Sequence, residues 1–392
     1  MDEQQLRDRV DGLLAAHPPA TTDRLDFLRA RFDAGLAWVH FPEGLGGLGL
    51  SRGMQPIVDR ALHRADAPDN DPRRIGIGLG MAAPTILAFG TEEQKRRYLR
   101  PLWCGEEVWC QLFSEPGAGS DLAGLATRAV LDQDTWVVNG QKVWTSSAHI
   151  ADKAILLART DPDQPKHAGL SYFLLDMHDP GVEVRPQRQI TREAEFNEVF
   201  LTDARIPDSD RLGEVGAGWQ VASATLSNER VAIGGSAFPR EYGMVMNVAE
   251  TWRTRPELRT PATHDRLLRG WIDTEVARIT ATRLRQKLAV GVPGPEGSAM
   301  KLSFARINHE LSALEVDLLA DDGLRYDSWE MRRPTHVDFF GRDAGYRYLR
   351  AKGNSIEGGT SEVLRNVIAE RILGLPSEPR VDKDVPWKEL PR

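Results

Sequence analysis

The order of apolar and polar positions divides the chain into stretches of different period. Up to about residue 110, apolar residues recur at helical spacing: Leu6, Val10, Leu13 and Leu14, then Leu25, Leu28 and Phe32. Steps of three and four place such residues on one face of a helix. Thr91-Glu-Glu-Gln ahead of Tyr98 and Leu99 adds a helix start. Its hydroxyl can accept an orphan amide of the first turn, and its acidic residues sit at the positive end of the helix dipole. From about 111 to 212 the period shortens. Apolar runs at 154–158, 172–175, 182–184 and 199–201, separated by Asp, Pro and Gly, predict short strands. Trp136-Val-Val-Asn-Gly-Gln-Lys-Val-Trp144 reads as two strands about a tight turn at Asn139-Gly140, because that dipeptide suits the left-handed backbone of a hairpin. After Gly218 the helical period returns. Phe304, Ile307, Leu311, Leu314 and Leu318 form a bundle seam. A last helix begins at Thr360-Ser361, carries Leu364, Val367, Ile368 and Ile372, and stops at Gly374 with Pro376 beyond.

The expected architecture is α+β. An N-terminal all-helical domain spans 1–110, a central and mainly antiparallel β domain 111–212, and a C-terminal four-helix bundle 213–376. Residues 377–392, polar and Pro-containing, read as a loosely held tail.

Composition removes several function classes. A formal net charge of -7 argues against a nucleic-acid partner, which calls for a basic face, yet leaves room for an anionic small ligand met by a local Arg/Lys patch. Two cysteines, Cys104 and Cys110, are too few for a disulfide framework and fit a reducing, cytoplasmic setting. The first thirty residues are charged throughout and give no secretory signal. The longest apolar stretch, 75–89, is broken by Gly76, Gly78, Gly80 and Pro84, so no membrane span is expected. The nine histidines lack metal-ligand spacing, and no metal site is expected.

Two segments carry the chemistry. Gly44-Leu-Gly-Gly-Leu-Gly49 is not one of them: Pro42 and Glu43 interrupt its approach and Pro56 follows, whereas a dinucleotide fingerprint needs a strand before and a helix directly after. It reads as a structural loop. Leu112-Phe-Ser-Glu-Pro-Gly-Ala-Gly-Ser-Asp121 is a glycine-containing turn rimmed by hydroxyls and carboxylates, whose backbone amides can approach a ligand closely. Asn139-Gly-Gln-Lys-Val-Trp-Thr-Ser-Ser147 supplies an aromatic face with three hydroxyls. Together they describe a polar wall suited to a large flat cofactor.

Both segments resemble the acyl-CoA dehydrogenase family, as does Ser355-Ile-Glu-Gly-Gly-Thr-Ser-Glu-Val-Leu-Arg-Asn366 near the C-terminus, so that the resemblance covers nearly the whole chain. It implies the same three-part architecture and a non-covalent FAD that takes the β-hydride of an acyl-CoA thioester, giving a trans-2-enoyl-CoA. By resemblance, Ser114 and the backbone near Leu112 bond the flavin pyrimidine edge, with Gly119 in the same turn. Ser120 meets the pantetheine arm of CoA. Trp144 packs on the isoalloxazine, with Thr145 and Ser146 near its N5/O4 edge; the alternative for Trp144 is a core aromatic. Thr360 and Glu362 face FAD, and Gly358 lies where a backbone amide polarises the thioester carbonyl.

The base is a carboxylate that takes the α-proton. Many family members place it directly before Gly-Thr-Ser, where this chain has Gly358, with Glu357 one residue earlier. The branch typified by the isovaleryl- and long-chain enzymes puts it on the first bundle helix, in a Glu-Arg pair. Asn228-Glu229-Arg230 matches that position, so Glu229 is the expected base, held by Arg230, and Glu357 the alternative. Two departures stand out. The Arg-x-x-Phe-Gly and Gly-Gly-Tyr-Gly segments that contact a neighbouring subunit's FAD are replaced by Thr251-Trp-Arg-Thr-Arg-Pro256 and Asp321-Asp-Gly-Leu-Arg-Tyr326. Arg253 and Arg255 are the nearby cations.

The pattern resembles an actinobacterial branch acting on bulky or catabolic thioesters, fatty acid or steroid, some members of which pair two unlike subunits. The expected partners are an acyl-CoA, an electron-transfer flavoprotein or similar acceptor, and further subunits as a homo-oligomer or α2β2. Two other functions fit the fold: a non-catalytic or half-site subunit, and a flavin oxidase or monooxygenase acting on a non-CoA substrate.

Overall fold

A computed structural model describes residues 1–234, 239–288, 294–336, 338, 340–380 and 382–391; the side chains of 230–234 and 288 lie outside the described set. The N-terminal part consists of helices α1 (Glu3–Ala16), α2 (Arg24–Asp33), α3 (Gln55–Arg64), α4 (Ala83–Phe89) and α5 (Glu92–Cys104). α1 buries Leu6, Val10 and Leu13, and α2 buries Phe27, Leu28 and Phe32, the faces that the periodicity picks out. Thr91 caps α5 reciprocally: its hydroxyl accepts from the Gln94 amide, and the Gln94 side chain accepts from the Thr91 amide. The 44–49 segment is a loop with one isolated bridge, Glu43 to Gly47.

The central sheet has seven strands: β1 (Trp109–Leu112), β2 (Arg128–Asp132), β3 (Thr135–Ser146), β4 (Lys153–Arg159), β5 (Leu170–Asp176), β6 (Val182–Pro186) and β7 (Phe196–Pro207). Their order is β1-β4-β2-β3-β7-β6, with β5 also on β4. Pairing is antiparallel except between β1 and β4 and at the single β2–β4 contact. β4 and β5 are buried on both faces, and the two-residue period sends alternate side chains into two cores. Ile155, Leu157, Tyr172 and Leu174 join Leu99, Leu102 and Trp103 of the helical side. Leu156, Ala158, Phe173 and Leu175 join Trp136, Val138, Val199 and Leu201 inside the sheet domain.

The Asn139-Gly140 hairpin is not formed. The β2–β3 turn lies at Gln133 and Asp134, with Gln133 left-handed at φ 59° and Asp132 opposite Thr135. Asn139-Gly140 falls inside the single strand β3, at a shift in its register against β7. The reason is a close approach: a Cβ at Gly140 would lie 2.3 Å from Thr127 Oγ1 and 2.8 Å from Thr127 Cα. Asn139 exchanges hydrogen bonds with Asp203 across the shift.

The C-terminal part holds α6 (Gly218–Gly234), α7 (Met244–Thr254), α8 (Pro261–Leu288), α9 (Gly297–Leu319), α10 (Ala344–Ala351) and α11 (Ser361–Arg371). α9 is the hub, touching α6, α7, α8, α10 and α11 and burying Ile307, Leu311, Leu314 and Leu318. α11 ends at Arg371, short of Gly374, and buries only Leu364 among its residues. The tail is not loosely held. Trp387 and Lys388 donate backbone hydrogen bonds to the carbonyls of Gln164 and Pro162, returning the chain to the sheet domain. Polar composition predicted a free end, but backbone hydrogen bonds, the Trp387 indole and ion pairs of Asp382 and Lys388 anchor it. Among the described residues no helix is long and apolar enough to cross a membrane.

Candidate active site

The two segments singled out by sequence are locked to each other. The Val143 amide donates to the Ser114 carbonyl at 2.9 Å. Lys142, fully buried on β3, donates to the carbonyls of Phe113 and Leu157, both at 2.9 Å, and to Glu115 Oε1 at 2.8 Å. All three ammonium protons thus have partners. Glu115 also accepts from the Ala126 and Thr127 amides at 2.7 and 2.9 Å. Burial works to raise the Glu115 carboxyl, but Lys142 and the added donors hold it below the usual range, while burial draws Lys142 down. This buried pair sets the turn against the strand. Glu115 and Lys142 both stand inside the quoted segments, yet no role was read for either.

The locked turn presents a rim. Leu112 is buried at the end of β1, Ser114 is half-buried, and Gly119 and Ser120 are exposed. Trp144 has a left-handed backbone, φ 59°, and is 56% exposed, which excludes the core-aromatic alternative. Its ring meets Phe196 edge-on at 5.6 Å, and its amide donates to Gln187 Oε1. Thr145 is buried, and its Oγ1 has no hydrogen-bond partner among the described residues. A buried orphan hydroxyl beside an exposed indole, with half-buried Ser146 next in line, fits a flat ligand edged by ring nitrogens and carbonyls. The donor set therefore fits a flavin.

Two carboxylates were candidates for the base. Glu229 is half-buried on α6, four residues beyond Thr225. Thr225 Oγ1 lies 3.0 Å from both Thr85 Oγ1 and the Tyr172 hydroxyl, so this turn of α6 is fastened to α4 and β5. Tyr172 packs edge-on against Phe113 at 5.8 Å, which ties α6 to the 112–121 turn. Burial pushes the Tyr172 phenol up, and the charge of Glu229 adds to the rise. The side chain of Arg230 lies outside the described residues.

Glu357 is engaged. Arg350 Nη2 lies 2.9 Å from its Oε2, and Asn354 Nδ2 donates to its Oε1 at 2.6 Å. Arg350 also approaches Glu195 at 3.1 Å and lies 5.7 Å from the centre of the Phe196 ring, so it links the 357 segment to the Trp144 wall. Neither Glu195 oxygen has an aligned hydrogen bond among the described residues. Burial pushes the Glu195 carboxyl up to about 7; Arg350 opposes this, while Glu357 and Glu193 add to it. Gly358 and Gly359 have positive φ, 64° and 93°, and buried Lys301 on α9 donates to the Gly359 carbonyl at 2.7 Å. Thr360 caps α11 by accepting from the Val363 amide, and exposed Glu362 pairs with Arg365. Arg253 pairs with Glu241 and Glu250, and Arg255 with Glu257 and Asp322. Arg350 and Glu195 carry no motif, and only their burial as charges marks them.

Comparison with known proteins identifies the family. The family descriptions "Acyl-CoA dehydrogenase" N-terminal, middle and C-terminal domain match residues 2–106, 110–204 and 216–373. Acyl-CoA dehydrogenase IpdE1 of Mycobacterium tuberculosis is 40% identical over 353 residues, covering 88% of this chain and 86% of that protein. Among solved structures, the Tcur3481-Tcur3483 steroid ACAD superposes with TM-score 0.71 at 26% identity, covering 96% of this chain and 100% of its own. The ChsE4-ChsE5 complex from Mycobacterium tuberculosis does so with TM-score 0.69 at 26% identity, over 96% and 97%.

Proposed function

Since the chain belongs to the acyl-CoA dehydrogenase family, we propose that it is an FAD-dependent dehydrogenase that converts an acyl-CoA thioester to its trans-2-enoyl-CoA. Members of the family are flavoproteins. Non-covalent FAD would be held by the rim of Leu112, Ser114 and Gly119, by the Trp144 face with Thr145 and Ser146, and by Thr360 and Glu362; when bound it supplies the acceptor for the β-hydride. Glu229 takes the α-proton, with Arg230 holding it, and Ser120 meets the pantetheine arm. The Gly358-Gly359 turn, gripped by Lys301 through the Gly359 carbonyl, faces the thioester carbonyl at the positive end of α11.

The observation that carries this reading is the placement of Glu229: it is half-buried on α6, one turn beyond Thr225, whose hydroxyl bonds Thr85 and Tyr172, and Tyr172 packs on Phe113 of the 112–121 turn. A base must lie within reach of the substrate proton. The test is anaerobic flavin bleaching by butyryl-, octanoyl-, palmitoyl- and cholyl-CoA. Bleaching by at least one thioester is expected. None by any, from protein with full flavin, would overturn the reading. Electrons then pass to an electron-transfer flavoprotein or similar acceptor.

The chain works as an oligomer, with copies of itself or as α2β2 with a related subunit. The replaced segments at 251–256 and 321–326 favour a second reading, a half-site subunit whose cofactor contacts are completed by an unlike partner; the similar structures named above include a two-component complex. Purified alone, a half-site subunit is colourless and turns yellow only when co-expressed with its partner.

A further inference from the structure

We propose that the C-terminal tail is a positioning strap that orders the 120–124 turn, the wall assigned above to the pantetheine arm; the substrate part of this inference rests on that dehydrogenase reading. Three grips converge on the turn. At its start, both oxygens of Asp121 lie 2.8 Å from Lys166 Nζ, and the same buried ammonium meets Asp382 of the tail at 2.5 Å. At its end, the Trp387 indole N–H donates to the Gly124 carbonyl at 3.1 Å. Between them, the Trp387 ring lies 4.3 Å from the guanidinium of Arg159, a buried residue of β4. Arg159 spends its donors on the carbonyls of Ala123, Leu125 and Lys166 at 2.6, 3.1 and 3.2 Å. Arg159 therefore ties the turn to the 166 loop from below, and Trp387 seals it from above.

The backbone supports the same registration. Trp387 donates to Gln164 at 2.9 Å, Lys388 to Pro162 at 3.1 Å, and Pro165 bridges Pro386. Lys388 adds an ion pair with Asp163. A chain end loses conformational entropy at every residue it fixes, so an untied one frays. These ties lay the tail along the 162–165 segment, next to Lys166, which grips Asp121. Because the tail reaches Asp121 through Lys166 and bonds Gly124, but bonds no residue proposed for proton or hydride transfer, its loss should weaken thioester binding and spare the chemical step.

The test uses the flavin-loaded protein ended at residue 376, together with Trp387→Ala, Trp387→Phe and Asp382→Asn in the full chain. Amide hydrogen exchange over 119–127 is read beside KM and kcat for the best reductant of the thioester panel. Truncation and Trp387→Ala should speed exchange in that segment. They should also raise KM roughly three- to tenfold, the scale of one lost hydrogen bond, with kcat within about twofold. Trp387→Phe keeps a ring over Arg159 but loses the N–H, so it should fall between wild type and Trp387→Ala. If the shortened chain does not fold, the point variants carry the same comparison. Unchanged exchange in Trp387→Ala overturns the strap, and faster exchange with unchanged KM overturns its role in binding. Wild-type protein that no thioester reduces would remove the dehydrogenase reading, while the exchange result still decides whether the tail orders the turn.

Discussion

Glu195 stands where burial and charge compete. Its carboxyl is raised from 4.5 to about 7, so the folded state prefers it protonated. The stability this contributes is fully present below pH 4.5 and is lost as the pH rises through 7. Thermal stability should therefore fall between pH 5 and pH 8. Glu195→Gln should flatten that window and gain on the order of 3 kcal/mol over wild type at its alkaline end. Arg350 retains Glu357 as a partner in that variant. An unchanged dependence of melting temperature on pH would mean that Arg350 keeps Glu195 ionised. The opposite case is Lys142, whose buried charge is fully matched. Lys142→Met leaves Glu115 buried beside two amides without its ammonium partner, and should cost roughly 3–5 kcal/mol in urea unfolding. A loss below about 1 kcal/mol would show that water reaches the pair. The two residues lie 27 positions apart, and nothing in their separate motifs says that they meet. Only the register of β3 against the 113–115 turn brings them together. A motif marks Glu229 in the sequence, whereas the pairing of Glu357 with Arg350 depends on how α10 packs and leaves no mark there.

At the scale of elements, the helices were the most legible because their faces follow a strict period. The α9 seam and the Thr91 cap fall where the sequence puts them. β3 was misread because Asn-Gly serves two purposes that look alike in one dimension. A left-handed turn and a close backbone approach both favour glycine. Here the approach of Thr127 decides, and a Cβ at position 140 would strike Thr127 Cα as well as its hydroxyl. Gly140→Ala should thus cost about 1–3 kcal/mol, and Thr127→Ala in the same chain should not restore it because the backbone contact remains. Near-wild-type unfolding of Gly140→Ala would restore the hairpin reading. The orientation of Trp144 was likewise hidden, since its positive φ is imposed by the bulge between Lys142 and Thr145.

For the whole molecule, the three-part architecture was legible from changes of period, and the docking of the tail was not, because its anchors are scattered polar contacts that leave no periodic pattern. Among the described residues, one apolar face of α8 stays exposed. Leu268, Ile272, Val276 and Ile279 run along α8 at steps of four, four and three, each about half exposed. Single exposed apolar residues are ordinary, but a continuous stripe on one helix is a surface that a further subunit, as proposed above, would cover. Light scattering should give a dimer or larger assembly, of one chain or two, and Ile272→Glu with Val276→Glu should lower the mass while leaving helix content intact. A wild-type monomer with full flavin would contradict this. The central claim, that the assembled molecule abstracts an α-proton with Glu229 and passes a hydride to FAD, is tested most directly by one measurement. It is the anaerobic rate of flavin reduction by an acyl-CoA in wild type, Glu229→Gln and Glu357→Gln, with flavin content recorded for each. Glu229→Gln should keep its flavin and lose roughly 10²–10⁴ in rate, and Glu357→Gln should lose far less. Reduction that survives in Glu229→Gln but is abolished in Glu357→Gln would contradict the account.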